Sequence, residues 1–453
     1  MYKILRSSSF LSVLVVIFYS CEKDKEIIKK EEPLIIHEAL IDTIYTDEGL
    51  SELLEEELEF IKSSNTSGKS NVPGMDIYKQ NSKKVYVHYM PWFQSKDYDG
   101  YWGQHWTMSN QDPDIEDEDG VKQIASYYYP LIGPYSSADP NLQIYHFLLM
   151  KLSGVDGVIF DWYGSNDIYD YGLIKDNIES SIKILEDLGL KFSVMYEDRA
   201  AFQSVSESSD IIDAAQKDLL YINNNYFTSQ YYMKHNGNNL LFVFGPNYIT
   251  DSESWNQIFE ILPLGNRPEF LTLWNASVLV GENATGEFLW VDKEHLVSHD
   301  HFYYGKDIGY NEIIVGSSYP GFKSFYTEGG WSDGVNDWVI DTDNGYTFSE
   351  TLNYTHHEIS DFIQIITWND FGEGTMIEPT QEFGFTFLNT LQQYTRVPFT
   401  ESHLKLALEI YRIRKRYENN ADVQSLLDRS FQYTKQLELR RVHKLLSAIK
   451  RFY

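Results

Sequence analysis

The chain has 453 residues and a formal net charge of −30, so its surface repels nucleic-acid phosphates and anionic lipid headgroups, and broad nucleic-acid binding is excluded. The length is more than enough for a large hydrophobic core. Aromatic residues make up 15% of the chain, which favours a ligand cleft with flat apolar walls as well as ordinary core packing.

The first twenty residues have the pattern of a secretory signal. Lys3 and Arg6 precede an apolar run, 10–19, that is too short to cross a bilayer in the mature protein. Cys21 is the single cysteine, which excludes an intramolecular disulfide, and it follows a segment similar to a bacterial lipobox. We expect Cys21 to be lipidated and the protein to lie on the bacterial outer membrane or cell surface. A plain signal peptide that is cleaved elsewhere is the alternative.

Composition divides the remainder into three parts. Residues 21–80 have the character of a lipidated tether and linker, with one amphipathic helix predicted over Glu48–Glu59. Residues 81–398 are predicted to form a barrel, and 399–453 to form C-terminal helices. The last of these helices is basic and amphipathic. A helix of this kind binds anionic membranes or docks on its own domain, and we expect docking.

From Lys84 onwards, short apolar runs alternate with amphipathic segments of helical length, the pattern of a parallel sheet covered by helices. Eight runs qualify as strands, the number that closes a (β/α)8 barrel of the TIM type. An open doubly wound sheet is the alternative, but no glycine-rich phosphate loop follows the first strand. Helical spacing is clearest in Tyr171–Gly189 and Ser208–Asn223. The eight predicted strands are Val85–Met90, Gly157–Asp161, Phe192–Glu197, Leu240–Phe244, Phe270–Trp274, Glu287–Val291, Glu312–Gly316 and Phe362–Thr367.

Acids, aromatics and histidines follow the predicted strands, at the end where barrels place their active sites. The eighth strand runs into a loop with two acids three residues apart, Asp370 and Glu373, and two glycines for backbone bends, Gly372 and Gly374. Helix capping or ion pairing is the structural alternative for such acids. Because strand ends share one rim, residues far apart in the chain should face one cleft. Residues after other strand ends are Tyr89, Trp92, Trp102, His105, Trp106, Asp161, Trp162, Tyr163, Glu197, Asp198, Arg199, His299, Asp300, His301 and Tyr303.

Other kinds of site have weaker support. His299 and His301 would present two imidazoles to a metal if this segment were a strand, but no clear third ligand accompanies them. We therefore predict no metal site. The run Glu197-Asp198-Arg199 fits a structural ion pair and a substrate-binding role equally well. The sequence has no nucleophile elbow of the G-x-S-x-G kind.

A pair of carboxylates in an aromatic cleft is typical of glycosidic bond cleavage. One acid protonates the leaving oxygen, and a second group acts as nucleophile or base. A neighbouring carboxylate and partial burial would raise one pKa, so that this acid stays protonated near neutral pH. Asp370 and Glu373 are the candidates for these roles, and the predicted partner is a glycan.

Five segments also carry a family resemblance, and the last is the most specific. Over roughly Lys84–Thr395 the chain resembles glycoside hydrolase family 99, whose type activity is endo-α-1,2-mannosidase. The segments are His88-Tyr89-Met90-Pro91-Trp92-Phe93, Trp102 with His105-Trp106, Tyr128–Tyr135, Gly157–Tyr163 and Trp368–Pro379.

The resemblance implies a (β/α)8 barrel that cleaves α-mannosides in an endo manner with retention of configuration. Glu373 matches the family's general acid/base. Asp370 falls where the family has a glutamate. In the family, this glutamate assists the substrate 2-hydroxyl in attacking the anomeric carbon of the same sugar, which gives a 1,2-anhydro sugar. The aspartate side chain is one carbon shorter. The sequence Trp-Asn-Asp also resembles the corresponding motif of family 71, the α-1,3-glucanases. Glu378 matches a further acid of the motif, which we expect not to contact substrate.

The predicted function is therefore an endo-acting, retaining α-glycoside hydrolase for α-mannosidic linkages in mannan or N-glycan-type chains. Alternatives are an α-1,3-glucanase-like hydrolase and a surface lipoprotein that binds glycans without cleaving them. The paired acids argue against a pure binder, which needs none. We expect a monomer that requires no metal or cofactor. Residues expected to bind substrate are Tyr89, Trp92, Trp102, His105, Asp161, Trp162, Tyr163, Glu197, Trp368 and Asn369.

Overall fold

The computed structural model describes residues 45–63, 73–205, 210–307, 313–331, 334, 336–355 and 359–453, with the backbone alone for 305–307. The predicted signal peptide over 1–20, Cys21 and two parts of the predicted tether, 22–44 and 64–72, lie outside the described residues. The predicted starts of one helix, Ser208, and of the seventh strand, Glu312, lie outside them too.

All eight predicted strands are present, with ends that differ from the prediction by at most three residues. Each is a short apolar run that is buried along most of its length, as strands covered by helices must be. In chain order the barrel strands are β1 (Val85–Tyr89), β2 (Gly157–Trp162), β3 (Lys191–Tyr196), β4 (Asn238–Val243), β5 (Glu269–Leu273), β6 (Ala284–Phe288), β7 (Ile313–Ser318) and β8 (Phe362–Ile365).

The eight strands form one closed parallel barrel. Each pairs in parallel with the next in the chain, and β8 closes the ring by pairing with β1. In this last pair Val87 lies opposite Ile365, and on its other side Val87 lies opposite Val158 of β2. The prediction of a (β/α)8 barrel is confirmed. Two short antiparallel ribbons, Lys234–His235 with the start of β4 and Phe322–Lys323 with Val339–Ile340, lie outside the ring.

Alternation along each strand decides which side chains face the barrel interior. Ile159 of β2 and Met195 of β3 pack in one interior cluster with Phe242, Leu271 and other alternate residues. Their sequence neighbours belong to a second, larger cluster between the strands and the helices. Successive side chains of a strand point alternately to the barrel interior (inward parity) and to the helices (outward parity). This alternation continues past each strand end, so it decides which residues reach the mouth of the barrel.

The helices surround the barrel and extend beyond it. The predicted helices Tyr171–Gly189 and Ser208–Asn223 correspond to α5 and α7. In chain order the helices are α1 (Asp47–Ser63), α2 (Lys96–Asp99), α3 (Gln104–Thr107), α4 (Pro140–Leu152), α5 (Tyr171–Leu188), α6 (Asp198–Ser204), α7 (Ile211–Asn225), α8 (Ser252–Glu260), α9 (Ser277–Val280), α10 (Leu296–Asp307), α11 (Tyr326–Gly329), α12 (Tyr346–Thr355), α13 (Thr386–Thr395), α14 (Glu401–Arg416), α15 (Ala421–Lys435) and α16 (Leu439–Phe452), with 3-10 turns at Leu264–Asn266, Gly281–Asn283 and Asp343–Gly345.

Part of the predicted tether is packed structure. Helix α1 lies against α15 and α16, and its Glu57 is buried between them at 2% exposure. The Glu57 carboxylate accepts hydrogen bonds from Arg429 at 2.9 Å and from Arg441 at 2.7 Å. Arg451 pairs with Asp47 at 2.7 Å. Basic side chains of α16 thus neutralise acids of α1, because a buried carboxylate requires charged partners. The helix predicted over Glu48–Glu59 is therefore present as α1, and it packs on the folded domain together with the docked C-terminal helix.

Within the described part of the chain, no helix is both long and apolar enough to cross a membrane. The longest connections at the carboxyl ends of the strands are 90–156, between β1 and β2, and 319–361, between β7 and β8. Together with the loop after β8 they build the mouth of the barrel, which is the place where barrels carry their active sites.

Candidate active site

The loop after β8 is held to β1 by its own backbone and by an amide side chain. Trp368 donates its backbone N–H to the His88 carbonyl at 2.7 Å. The Asn369 side chain accepts from the Met90 N–H at 2.8 Å and donates to the Met90 carbonyl at 2.9 Å, so it continues the sheet pairing by one step. Asn369 was expected to bind substrate. Its amide is fully buried and uses these partners, so it positions the loop instead.

Asp370 and Glu373 form the centre of the loop. The Asp370 N–H bonds to the Thr367 hydroxyl at 2.8 Å, and the Glu373 N–H bonds to Oδ1 of Asp370 at 3.0 Å. Of the two glycines, Gly374 has a φ of +67°, and a Cβ there would lie 2.8 Å from the Lys323 carbonyl oxygen. The predicted sharp bend is therefore at Gly374, where only glycine fits.

The Glu373 carboxyl has two further partners from other parts of the barrel rim. Tyr326 in α11 donates its hydroxyl to Oε1 at 3.1 Å. The indole N–H of Trp290, two residues after β6, also bonds to this carboxyl. A carboxyl held by two donors from separate connections has a fixed position, which a proton-transferring group requires.

Burial raises the pKa of both acids. The pKa of Glu373 is raised to about 8 by burial and then by the Asp370 charge, although the bonds from Tyr326 and Trp290 oppose the shift. Burial raises the pKa of Asp370 to about 6, opposed by the backbone N–H groups of Glu373 and Gly372. At pH 7 Glu373 is therefore mainly protonated and Asp370 mainly ionised. Two neighbouring acids whose pKa values are driven apart have separate acid and base roles.

Two more carboxylates complete the cluster. Asp161 near the end of β2 is 3% exposed, and burial followed by the Asp370 charge raises its pKa to about 7, against a bond from Tyr163. Glu197, just after β3, has a pKa well above its ordinary value because of burial and the charges of Asp161 and Asp198, partly offset by Arg199. Both side chains point to the barrel interior, because they continue the alternation of Ile159 and Met195.

A cavity of about 640 Å³ opens over this cluster. Asp370, Tyr163 and Tyr326 line it, and Glu373 and Asp161 are hydrogen-bonded to the two tyrosines. Its walls are aromatic. The Trp92 and His105 rings stack with centroids 4.2 Å apart, and Tyr163 stacks on Tyr171 at 4.9 Å. Further lining residues are Phe93, Gln104, Met108, Tyr169, Asp170, Ile174, Arg199, Gln203, Trp331 and Gly372.

Four residues expected to contact substrate lie elsewhere. Tyr89 is buried against α4, where its hydroxyl bonds to Nδ1 of His146 at 3.0 Å. Trp162 packs on Tyr221 of α7. Both have the outward parity of their strands, so their rings enter the helix layer. Trp368 is fully buried against His146. Trp102 donates its indole N–H to Asp114 at 2.9 Å, outside the cleft lining.

Glu378 lies behind the catalytic loop and is not part of the cleft lining. It is 1% exposed, and its carboxylate accepts from the Tyr135 hydroxyl at 2.7 Å and faces Nε2 of His146 at 3.3 Å. Asn369 also donates to the Tyr135 oxygen at 3.2 Å. These residues form a buried polar network directly behind the loop that carries Asp370.

Sequence reasoning missed Trp290 and Tyr326. Trp290 follows β6 by two residues and would have been found by reading the residues directly after that strand's true end. Tyr326 lies in α11, within the long 319–361 connection and eight residues beyond the end of β7, too far for the strand end to mark it. Its role depends on tertiary folding alone.

The histidines considered for a metal lie on a helix, not on the strand that the metal interpretation needed. His299 and His301 belong to α10, and the Nε2 of His299 is 2.9 Å from the Ser317 carbonyl oxygen. Across the described ranges, no group of three or more histidine, cysteine or acidic side chains is arranged to hold a metal ion.

Comparisons with known proteins agree with this geometry. No family model matches the chain. It is 24% identical, over 334 residues, to the glycoprotein endo-α-1,2-mannosidase-like protein of Danio rerio, covering 65% of this chain and 70% of that protein. The protein of the same name from Homo sapiens is 23% identical over 330 residues, covering 65% of this chain and 68% of that one.

Solved structures show the same architecture. The family 99 endo-α-mannosidase of Bacteroides thetaiotaomicron, in a complex with Bis-Tris-propane, superposes with a TM-score of 0.54 at 18% identity, covering 72% of this chain and 98% of that one. A second structure of the same enzyme superposes with a TM-score of 0.53 at 18% identity, covering 73% of this chain and 98% of that one. At this identity the structural likeness establishes the fold. The chain is thus similar in fold to a family 99 endo-α-mannosidase and in sequence to endo-α-1,2-mannosidase-like proteins, and it has paired carboxyls at the mouth of its barrel.

Proposed function

We propose that the protein is an endo-acting, retaining α-glycosidase that cleaves α-mannosidic linkages in mannan or N-glycan-type chains. The observation that carries the proposal is the pair Glu373 and Asp370, with pKa values of about 8 and about 6 at the mouth of the barrel. The names of the sequence relatives, which are endo-α-1,2-mannosidase-like proteins, support the α-mannoside assignment.

The pair suits a two-step reaction. Protonated Glu373 gives its proton to the glycosidic oxygen as the bond to the anomeric carbon breaks. Ionised Asp370 takes the proton of the substrate 2-hydroxyl, whose oxygen attacks the anomeric carbon and closes a 1,2-anhydro ring. Water then opens this ring at the anomeric carbon and gives a proton to the Glu373 carboxylate, while Asp370 returns its proton to the 2-oxygen. Two inversions at one carbon give net retention.

The surrounding groups have matching roles. Tyr326 and Trp290 donate to the Glu373 carboxyl, so they stabilise the carboxylate that forms after the first proton transfer. The stacked Trp92 and His105 rings present a flat face for a pyranose. Asp161 is a buried carboxyl whose Oδ1 has no hydrogen-bond partner among the described residues, which suits a sugar hydroxyl as donor.

Asp370 is also the residue that favours a second candidate, an α-1,3-glucanase-like hydrolase. Its side chain is one carbon shorter than the glutamate of the family 99 motif, and the sequence Trp-Asn-Asp resembles the family 71 motif. In that case the ionised Asp370 would activate water instead of the 2-hydroxyl.

Proton NMR of the products distinguishes the candidates. Yeast α-mannan and an α-1,3-glucan are digested in parallel, with the Glu373→Gln variant as the inactive control. Mannose reducing ends that appear first as α-anomers support the proposal. Glucan products, or β-anomers first, would overturn it.

We also propose that Cys21 carries the lipid that anchors the protein at the cell surface. The support is the sequence alone: an apolar run with basic residues before it and an acidic, lysine-containing run after it. Metabolic labelling with an alkynyl fatty acid should mark the wild type and not Cys21→Ser. A labelled variant would disprove the assignment.

A further inference from the structure

A second cavity, of about 440 Å³, lies beside the catalytic cleft and shares none of its lining residues. Three segments and Asp139 build it, the segments being Ser95–Tyr98 after β1, the stretch 131–136, and Tyr411–Lys415 of α14. Neither the proposed reaction nor the packing of the barrel requires an opening at this position.

The two cavities have a common wall. Trp92 and Phe93 line the cleft, whereas Ser95 and Tyr98, only a few residues later, line the second cavity. The wall is held firmly, because the Phe93 N–H bonds to the Ser137 hydroxyl at 3.1 Å and the Ser137 N–H bonds to the Phe93 carbonyl at 2.8 Å. A long chain that leaves the cleft over this wall would reach the second cavity.

One part of the lining of the second cavity is apolar and of the kind that binds pyranose faces. Tyr98 is 49% exposed, although it is a large aromatic residue on a short helix. Leu131, Ile132 and Pro134, which are half-buried, line the same cavity. An exposed tyrosine beside aliphatic groups offers a flat contact for the C–H face of a sugar ring.

Its charged groups balance one another. Two acids, Asp97 and Asp139, and two bases, Arg412 and Lys415, line the cavity, giving zero net charge on a chain of −30. Lys415 is 3.4 Å from Asp139. Within the described part of the chain, the Arg412 guanidinium and the Asp97 carboxylate make no hydrogen bond or ion pair, which leaves a donor and an acceptor for a ligand. A balanced, polar cavity selects a neutral, polyhydroxylated ligand over an ion.

We propose that this cavity is a second glycan-binding site, which holds a neutral stretch of the polysaccharide whose other part occupies the cleft. The Tyr98 ring takes one sugar face, Arg412 donates to sugar oxygens and Asp97 accepts from hydroxyls. The choice of α-mannan as the glycan rests on the proposed function. Two linked contacts bind a polymer more tightly than the cleft alone, because the second contact is intramolecular.

Affinity electrophoresis in gels containing yeast α-mannan tests the site in the non-cleaving Glu373→Gln background. Tyr98→Ala and Arg412→Ala should each weaken apparent binding roughly fivefold or more, since each removes one contact from a two-site interaction. Matched controls are Tyr101→Ala, an exposed tyrosine on the same loop, and Arg416→Ala, one turn along α14, neither of which lines the cavity. Both controls should keep the mobility of the parent.

The outcomes separate this site from the catalytic proposal. If mannan retards the parent protein and retards Tyr98→Ala less, the second site is supported. This holds even if the wild type does not cleave mannan, because that result would disprove only the proposed hydrolysis. Equal retardation of the two variants and their controls would overturn the second site even if mannan is cleaved. A parent protein that mannan does not retard would overturn it as well.

Discussion

Glu373 donates its backbone N–H to Oδ1 of Asp370 at 3.0 Å, so the two acids of the rim loop are bound to each other before any substrate arrives. The bond lowers the pKa of Asp370, while the Asp370 charge raises the pKa of Glu373. One short loop thus separates the protonation states of two neighbouring carboxyls, and the proposed reaction needs this separation.

Glu373→Gln should remove almost all turnover while preserving the affinity for glycan. Glutamine keeps the size of the side chain and its hydrogen bonding but has no proton to transfer, and general acid–base catalysis contributes about 10²–10⁴-fold. Initial rates on α-mannan and binding by calorimetry measure the two effects. The control is Glu55→Gln, an exposed position on α1. A variant with more than a tenth of wild-type turnover would disprove the assignment.

The pH dependence of kcat/KM should be bell-shaped with its maximum near pH 7. Activity needs ionised Asp370, so it falls as the pH drops below about 6, and protonated Glu373, so it falls as the pH rises above about 8. Because the two acids interact, the limbs report the pair and not one residue. A maximum at pH 4 to 5 would contradict these raised pKa values.

Tyr326→Phe should move the alkaline limb of this profile to higher pH. The tyrosine hydroxyl donates to the Glu373 carboxyl and thereby lowers its pKa, so its removal raises the pKa further. We expect kcat to fall roughly ten- to hundredfold, because a hydrogen bond to a charged group contributes about 1.5–3 kcal/mol. The matched control is Tyr304→Phe on α10, where the tyrosine is 72% exposed. A limb that stays in place or moves down would contradict the bond's role.

Strand position was predictable from the sequence, and side-chain direction was not. Eight apolar runs separated by helical segments are sufficient to predict a closed barrel, and the acids after β8 follow a real strand end. Trp162 and Tyr89 were wrongly expected in the cleft. Side chains alternate along a strand, so every second residue near a strand end points to the helix layer and not to the barrel interior. Asp161 and Glu197 have the opposite parity and reach the mouth.

Contacts between segments that are distant in the chain could not be predicted from the sequence. Tyr326 and Glu373 are 47 positions apart and on different connections, so they meet only in the folded barrel. Helix α1 has the composition of an acidic tether, and only the arginines of α15 and α16, more than 370 positions away, make it part of the folded domain. Local composition does not contain such pairings.

Asp161→Asn should stabilise the protein more at pH 8 than at pH 5. The pKa of Asp161 is raised in the folded state to about 7 from 3.8, so the folded protein binds the proton more tightly, and this carboxyl's contribution to stability declines as the pH rises through that window. Asparagine removes the titration. Urea unfolding should show a gain that is larger by on the order of 2 kcal/mol at pH 8. Asp119→Asn, on an exposed turn, should show no such difference, and an equal gain at both pH values for Asp161→Asn would contradict the burial argument.

Tyr135→Phe should weaken both the fold and the catalytic loop. The Tyr135 hydroxyl donates to Glu378 at 2.7 Å and accepts from Asn369 at 3.2 Å, so its loss leaves a buried carboxylate and a buried amide each with one partner fewer. A buried polar group without its partner costs about 1–3 kcal/mol, and we expect the free energy of unfolding to fall by that amount. Because Asn369 positions Asp370, kcat should fall while KM changes little.

Two measurements separate positioning by Tyr135 from a general loss of stability. Activity is assayed well below the unfolding transition of the variant, and Tyr101→Phe, an exposed tyrosine, is the control for the hydroxyl deletion. A variant that is destabilised but retains full kcat would show that the network behind the loop supports the fold alone. An unchanged unfolding transition would show that water replaces the hydroxyl. The network would then not be what positions the loop. A fall in both quantities, with the pH limbs unmoved, is the result expected of a group that holds Asp370 in place without altering its charge.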